Sequence, residues 1–221
     1  MDTNIKEIIK GYSNFQSVKF KKNEERYKNL VEEGQNPKAL FIGCSDSRVV
    51  PDLITGSKPG DLFITRNIGN FVPPFNPDQD YHATASVIEY AVSVLEVSDI
   101  IICGHSQCGA IASLYKKIES NNENIHTIKW LELGENAKKA ALLSLRGKPQ
   151  EEILHYTEKV SLIFQLENLL TYPAVKRRVE EGNLFLHGWY YDIKSGSIEY
   201  YNDELYEFRE LTLGCPHHIK G

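Results

Sequence analysis

Five residues of this chain have types and spacings that could do chemistry together. An apolar run, ALFIG, ends at Cys44, and Asp46 and Arg48 follow within four positions. A second run, DIIICG, ends just before His105, with Cys108 three positions on in HSQC. Two thiolates and an imidazole form a Cys2His set that suits zinc, a borderline-soft ion in tetrahedral geometry. Three protein ligands leave the fourth position open, as in catalytic zinc sites, and no fourth ligand is evident nearby. Zinc lowers the pKa of bound water from ~15.7 to about 7. A carboxylate beside such a hydroxide accepts its proton in a hydrogen bond and aims the oxygen at an electrophile. Asp46 can do this only if ionised and fixed, and Arg48 offers a charge-assisted partner.

For these residues to meet, ALFIG and DIIICG must be neighbouring strands, because ligands of open α/β sheets gather at the carboxyl ends of strands. Both are nearly continuous apolar runs, as expected of parallel strands covered on both faces. DLFITRN reads as a third strand, followed by the loop GNFVPPFNPDQD and a helix over 82–96. A helix is expected over CGAIASLYKKIES, then more helix after a polar stretch at 120–126, with a break at Gly147-Lys148-Pro149. A longer helix is expected over 150–170. Pro173 opens a short helix that Gly182 closes. LFLHGWYYD and SIEYYN, joined by IKSG, form a hairpin. The fold class is α/β: a single domain, 1–221, with a central, mostly parallel sheet flanked by helices and an antiparallel addition near the C-terminus. Residues 1–34 read as a helical arm and 35–221 as the α/β core.

Bulk properties narrow the function. A net charge of −5 and a pI near 5.8 oppose nucleic acid, which needs a concentrated basic face. The basic run Lys176-Arg177-Arg178 is followed by Glu180 and Glu181 and reads as a solvated helix face. No apolar run approaches the ~20 residues that span a bilayer, and the N-terminal stretch has no signal-peptide core. A cytoplasmic location is expected, with its four cysteines reduced. Cys103 reads as a small core residue. Cys215 with His217 and His218 is a weaker, accessory metal candidate.

CSDSR followed by GHSQCGA resembles the signature of the β-class carbonic anhydrases, and RNIGN, VPP, ASVIEYAV and HGWYYDIKSG extend the similarity over residues 30 to 200. The resemblance implies that Cys44, His105 and Cys108 bind one Zn2+ per chain, and that Asp46 and Arg48 form the catalytic dyad. It implies carbon dioxide and bicarbonate as substrates and a homodimer or homotetramer, with the N-terminal arm as a dimer contact. It further implies a carbon dioxide pocket lined by Gln35, Phe63 and Tyr90. In the family's bicarbonate-inhibited kind a Trp, an Arg and a Tyr are used. Arg66 and Tyr191 match, but the Trp position is Phe41, which argues for the accessible kind and against bicarbonate regulation. His82 is a weak candidate proton shuttle, as imidazole titrates near neutrality. His187 reads as a core or interface residue.

Two other readings stand beside this one. Hydrolysis of carbon disulfide or carbonyl sulfide occurs on the same fold. A non-catalytic zinc or thiol-redox protein is the alternative from another class, though it has no use for the Asp46–Arg48 pair. A cysteine phosphatase is excluded, since its Arg would fall at Val50.

Overall fold

The computed structural model describes residues 3–78, 80 and 82–213. Among these, six strands form one sheet: β1 Ala39–Cys44, β2 Leu62–Asn67, β3 Asp99–His105, β4 Phe185–Tyr191, β5 Ile198–Asn202 and β6 Glu207–Glu210. Their order is β2-β1-β3-β4-β5-β6. The first four run parallel, and β5 and β6 add antiparallel. Alternate side chains feed two apolar layers, which is why β1 and β3 read as unbroken apolar runs. Leu40, Ile42, Ile100, Ile102 and Leu186 share one core with residues of three helices: α4 Ala83–Ser93, α8 Gln150–Leu169 and α9 Pro173–Glu180. Ala39, Phe41, Ile101 and Cys103 pack on the other side with Leu62, Ile64, Trp189 and Tyr191.

The remaining helices are α1 Thr3–Asn14, α2 Glu24–Glu32, α3 Pro51–Thr55, α5 Gly109–Leu114, α6 Ile125–Leu131 and α7 Glu135–Ser144. One expectation needs correction and one strand needs adding. The helix after β3 stops at Leu114 rather than near 120: Tyr115 and Lys116 donate to carbonyls three residues back, tightening the last turn. The Tyr115 hydroxyl is also pinned to Thr157 Oγ1 at 2.6 Å, which holds the chain out of helical register. Strand β6 was not expected, because Glu-Phe-Arg-Glu has one apolar residue and no readable alternation. At the C-terminus of α9, Gly182 takes φ +72, the left-handed conformation that ends a helix cheaply only at glycine.

The N-terminal segment is helical, as expected. From α1 it runs through a wider π turn, Phe15–Lys19, and a short helical piece, Phe20–Lys22, toward α2. Ile5, Ile8, Ile9 and Tyr12 recur at helical spacing, yet each stays exposed, so among the described residues this stripe is not buried in a core. The tie to the body comes at α2. Arg26 donates from Nε to the Pro59 carbonyl and from Nη2 to Asp61, both at 2.5 Å. The backbone N–H of Lys58, followed by Arg26, holds the Asp61 carboxyl below its usual range. A carboxyl whose pKa is lower folded than unfolded stabilises the protein above its unfolded value, and that contribution fades as pH falls through the folded value. We therefore expect Asp61→Asn to lower the urea midpoint at neutral pH, with the difference from wild type closing as pH falls below the usual carboxylate range. Urea titrations of both proteins between neutrality and acid check this.

Candidate active site

Parallel pairing sets the site. Gly43 stands opposite Cys103 on β3 and Cys44 opposite Asn67 on β2, so β1 and β3 end side by side with Cys44 and His105 at their tips. The turn into α5 then returns Cys108 to the same spot. Ligand atoms from Cys44, His105 and Cys108 lie within 4.8 Å of one another, and all three residues are buried. His105 Nδ1 donates to the Ser106 carbonyl at 2.9 Å, which puts the proton on that nitrogen. Nε2 is left buried, with its lone pair and no hydrogen-bond partner. An orphaned imidazole nitrogen facing two thiols is the donor set expected around a tetrahedral zinc ion, and the residues fit that ion.

Several contacts tune and hold the ligands. Cys44 is pulled well below the usual thiol range, chiefly by the hydrogen bond from Cys108 and against its burial, with backbone N–H groups of Asp46 and Gly69 helping. Cys108 is pushed up by the same bond and by burial, so the metal-free thiols share a proton. Gly69 reaches Cys44 because it adopts φ +76 and carries no side chain; a Cβ there would lie 2.9 Å from Ala110 Cβ. Arg66 of β2 donates from Nε to the Cys44 carbonyl at 2.8 Å and from Nη2 to the Asp46 carbonyl at 2.5 Å.

Asp46 and Arg48 form a bidentate pair: Nε to Oδ1 at 2.9 Å and Nη2 to Oδ2 at 2.8 Å. The Arg48 backbone N–H adds a third bond to Oδ1 at 2.9 Å. These bonds hold the Asp46 carboxyl far below the usual carboxylate range, so it stays ionised at neutral pH. Arg48 Nη2 also donates to the Gln107 carbonyl at 3.2 Å, joining the two loops that carry the ligands.

The residues matched to the carbon dioxide pocket are not beside this cluster within the chain. Phe63 stands opposite Leu40, four positions before Cys44, about 13 Å along the strand. Its ring meets Tyr90 at 5.8 Å, and Gln35 is exposed in the loop entering β1. His82 stands one residue before α4, whose Thr84 reaches Asn67 at the C-terminal end of β2, and its Nε2 meets Asp78 Oδ1 at 2.6 Å. Phe41 is fully buried in the sheet layer. His187 is buried against Asp99 at 2.7 Å. Cys103 is buried, its thiol pushed up to about 12 by desolvation, as suits a core residue. Cys215, His217 and His218 lie outside the described residues.

Comparison with known proteins places this arrangement. Residues 39–198 match the carbonic anhydrase family model. A carbonic anhydrase of Pseudomonas aeruginosa is 43% identical over 88% of this chain and 86% of its own length. The chain belongs to the β-class carbonic anhydrases. That makes it an enzyme, a carbonate dehydratase. Carbonic anhydrase 1 of Escherichia coli O157:H7 is 40% identical over 94% of this chain and 93% of its own. The solved β-carbonic anhydrase CcaA superposes with a TM-score of 0.91 at 34% identity, covering 98% of this chain and 95% of that one. One of two tetrameric β-carbonic anhydrases from Sordaria macrospora gives 0.77 at 28% identity, covering 97% and 98%.

Three residues that brace the site of this carbonic anhydrase were not singled out from sequence. Gln107, between the ligands, sits at φ +56, and only its place in HSQCG hinted at a special turn. Ser106 ties the loop to the end of β4, donating its N–H to the Tyr191 carbonyl and accepting from Ile193 N–H at 2.9 Å. Glu158 of α8 accepts from Cys108 N–H at 3.0 Å. Its signal was a polar stripe, Thr157, Ser161 and Gln165, that looks solvent-facing but is buried.

Proposed function

We propose that this protein catalyses the reversible hydration of carbon dioxide to bicarbonate and a proton, with one zinc ion held by Cys44, His105 and Cys108. The observation that carries the reading is the convergence of those three donors beside a carboxylate fully engaged by arginine. Bound there, the ion would supply Lewis acidity, making a water molecule acidic enough to attack near neutral pH. Asp46 accepts a hydrogen bond from the attacking water and turns its free lone pair toward the carbon of the substrate. Arg48 keeps that carboxylate ionised and still. Both Asp46 oxygens are occupied by Arg48, which supports the accessible form of the site; Phe41, with no donor to offer, supports it too. His82 remains the weaker candidate for carrying the proton away.

Gln35, Phe63 and Tyr90 serve this reading as the pocket of a second copy. An apolar wall about 13 Å from the ligands of its own chain lines a substrate pocket only when another subunit supplies the ligands. The exposed apolar stripe of the arm, residues 1–34, supports contact with a second copy of the core, residues 35–221, in a dimer or tetramer. Free thiols at Cys44, Cys103 and Cys108 support a reducing, cytoplasmic setting. Among the described residues no helix is long and apolar enough to cross a membrane.

Stopped-flow hydration of carbon dioxide with metal analysis tests the reading. Turnover with one zinc per chain is expected; hydrolysis of carbon disulfide without carbon dioxide hydration would replace it. The shared pocket has its own test. Phe63→Ala and Cys44→Ser chains, each weakly active alone, should regain activity when refolded together, because a hybrid holds one intact site. No gain on mixing would place the pocket within one chain.

A further inference from the structure

We infer that Glu158 is a positioning residue for the metal centre, holding Cys108 from behind through its backbone, with Tyr190 as its anchor. The inference rests on the reading of Cys44, His105 and Cys108 as metal ligands.

The turn from His105 to Cys108 does not hold itself. Gln107 adopts a left-handed φ of +56, unfavourable for a residue with a side chain, so its neighbours must keep the turn closed. Ser106 is tied to the end of β4, and Arg48 grips the Gln107 carbonyl. Glu158 supplies what these do not: a side chain from the core bonded to a ligand residue itself. Its Oε1 accepts the Cys108 N–H at 3.0 Å, fifty positions away in sequence. Its Oε2 accepts from the Tyr190 hydroxyl at 2.8 Å, and Tyr190 is 1% exposed. That hydroxyl also lies 3.0 Å from His155 Nδ1, and Lys159 Nζ sits 5.0 Å from the centre of the tyrosine ring.

A carboxylate in this position is costly to bury, and α8 fills the adjoining core with Leu162 and Leu166. An apolar residue at 158 would leave the Cys108 N–H buried without an acceptor. The acid gives that N–H a rigid, doubly anchored acceptor. Cys108 Sγ is two bonds from Cα, so fixing the backbone at the N–H fixes the point from which the sulfur reaches the cluster, and χ1 then selects among a few staggered directions. Partners of this kind beyond the ligands typically change metal affinity about 10–100-fold when removed.

The test measures zinc affinity by competition with a chromophoric chelator, and the thiolate-to-cobalt absorption band of the cobalt-loaded proteins. Glu158→Ala should weaken zinc binding by about 10–100-fold and shift the cobalt band. Glu158→Gln keeps an amide oxygen for the Cys108 N–H and should stay within about threefold of wild type. Tyr190→Phe, which frees the carboxylate at one end, should weaken binding about two- to tenfold. Thr157→Val alters a buried neighbour whose hydroxyl bonds Tyr115 and the Ile153 carbonyl. It should lower the melting temperature of the metal-free protein and leave zinc affinity alone. Wild-type affinity in Glu158→Ala, or equal losses in Glu158→Ala and Thr157→Val, would overturn the role. Should Glu158→Ala not fold, unchanged affinity in Tyr190→Phe would overturn it as well. Failure of the metal reading looks different: wild type itself would hold no zinc, or Cys108→Ser would keep it.

Discussion

Asp46→Asn is expected to lower kcat/KM for carbon dioxide hydration by about 10²–10⁴-fold while zinc stays at one per chain. That range corresponds to about 3–5 kcal/mol of lost transition-state stabilisation. Two effects add. The amide has one oxygen where the carboxylate has two, so the fork of Arg48 loses a partner and meets an N–H2 donor instead. The attacking water also loses an ionised acceptor, and with it the bond that orients its lone pair. The Asp46 bond to the ligand Cys44 comes from its backbone N–H and survives the substitution, and its side chain acts on His105 only through its charge. Metal analysis and stopped-flow rates on the same sample separate the two consequences. Full activity in Asp46→Asn would remove the dyad from the mechanism; lost zinc would make Asp46 a structural residue.

The second large effect is on the metal. Cys108→Ser should weaken zinc binding at least about a thousandfold, beyond the ~10–100-fold typical of residues that only brace a ligand. A serine hydroxyl does not ionise near neutral pH and offers a hard oxygen where a soft thiolate stood. The backbone N–H groups of Ala110 and Ile111, which favour charge on the Cys108 sulfur, would then face a neutral group. Zinc should raise the melting temperature of wild type, because a ligand at about 100 times its Kd adds about 2.7 kcal/mol to folding. The same addition should leave Cys108→Ser unmoved. A full equivalent of zinc in Cys108→Ser after dialysis against a chelator would strike Cys108 from the ligands.

The strands that carry the site were legible because burial on both faces leaves a plain mark: ALFIG has no polar residue, and DIIICG has only Asp99 at its entry. The ligands were legible because thiols, an imidazole, an acid and an arginine at strand ends have few other uses. Segments whose fate depends on distant partners were harder. Tyr115 ends α5 by bonding Thr157, and β6 exists because β5 offers it an edge. Neither cause is local. Glu158 shows the same limit more sharply, since an acid in a helix reads as surface until the helix is packed against the turn that needs it.

Residue identity and order determined, by themselves, the α/β class, the parallel strands, the Cys2His donor set and the Asp-x-Arg pair, all encoded over short distances by side-chain chemistry and period. Tertiary structure alone decided which atoms meet. The β1–β3 register closed Cys44, His105 and Cys108 to within 4.8 Å, and a buried helix put Glu158 behind Cys108. The β1–β2 register set Phe63 opposite Leu40, away from the ligands of its own chain. The physical reason is range: propensity and hydrophobic period act over a few residues, whereas strand register and helix packing are set by contacts between segments far apart in sequence.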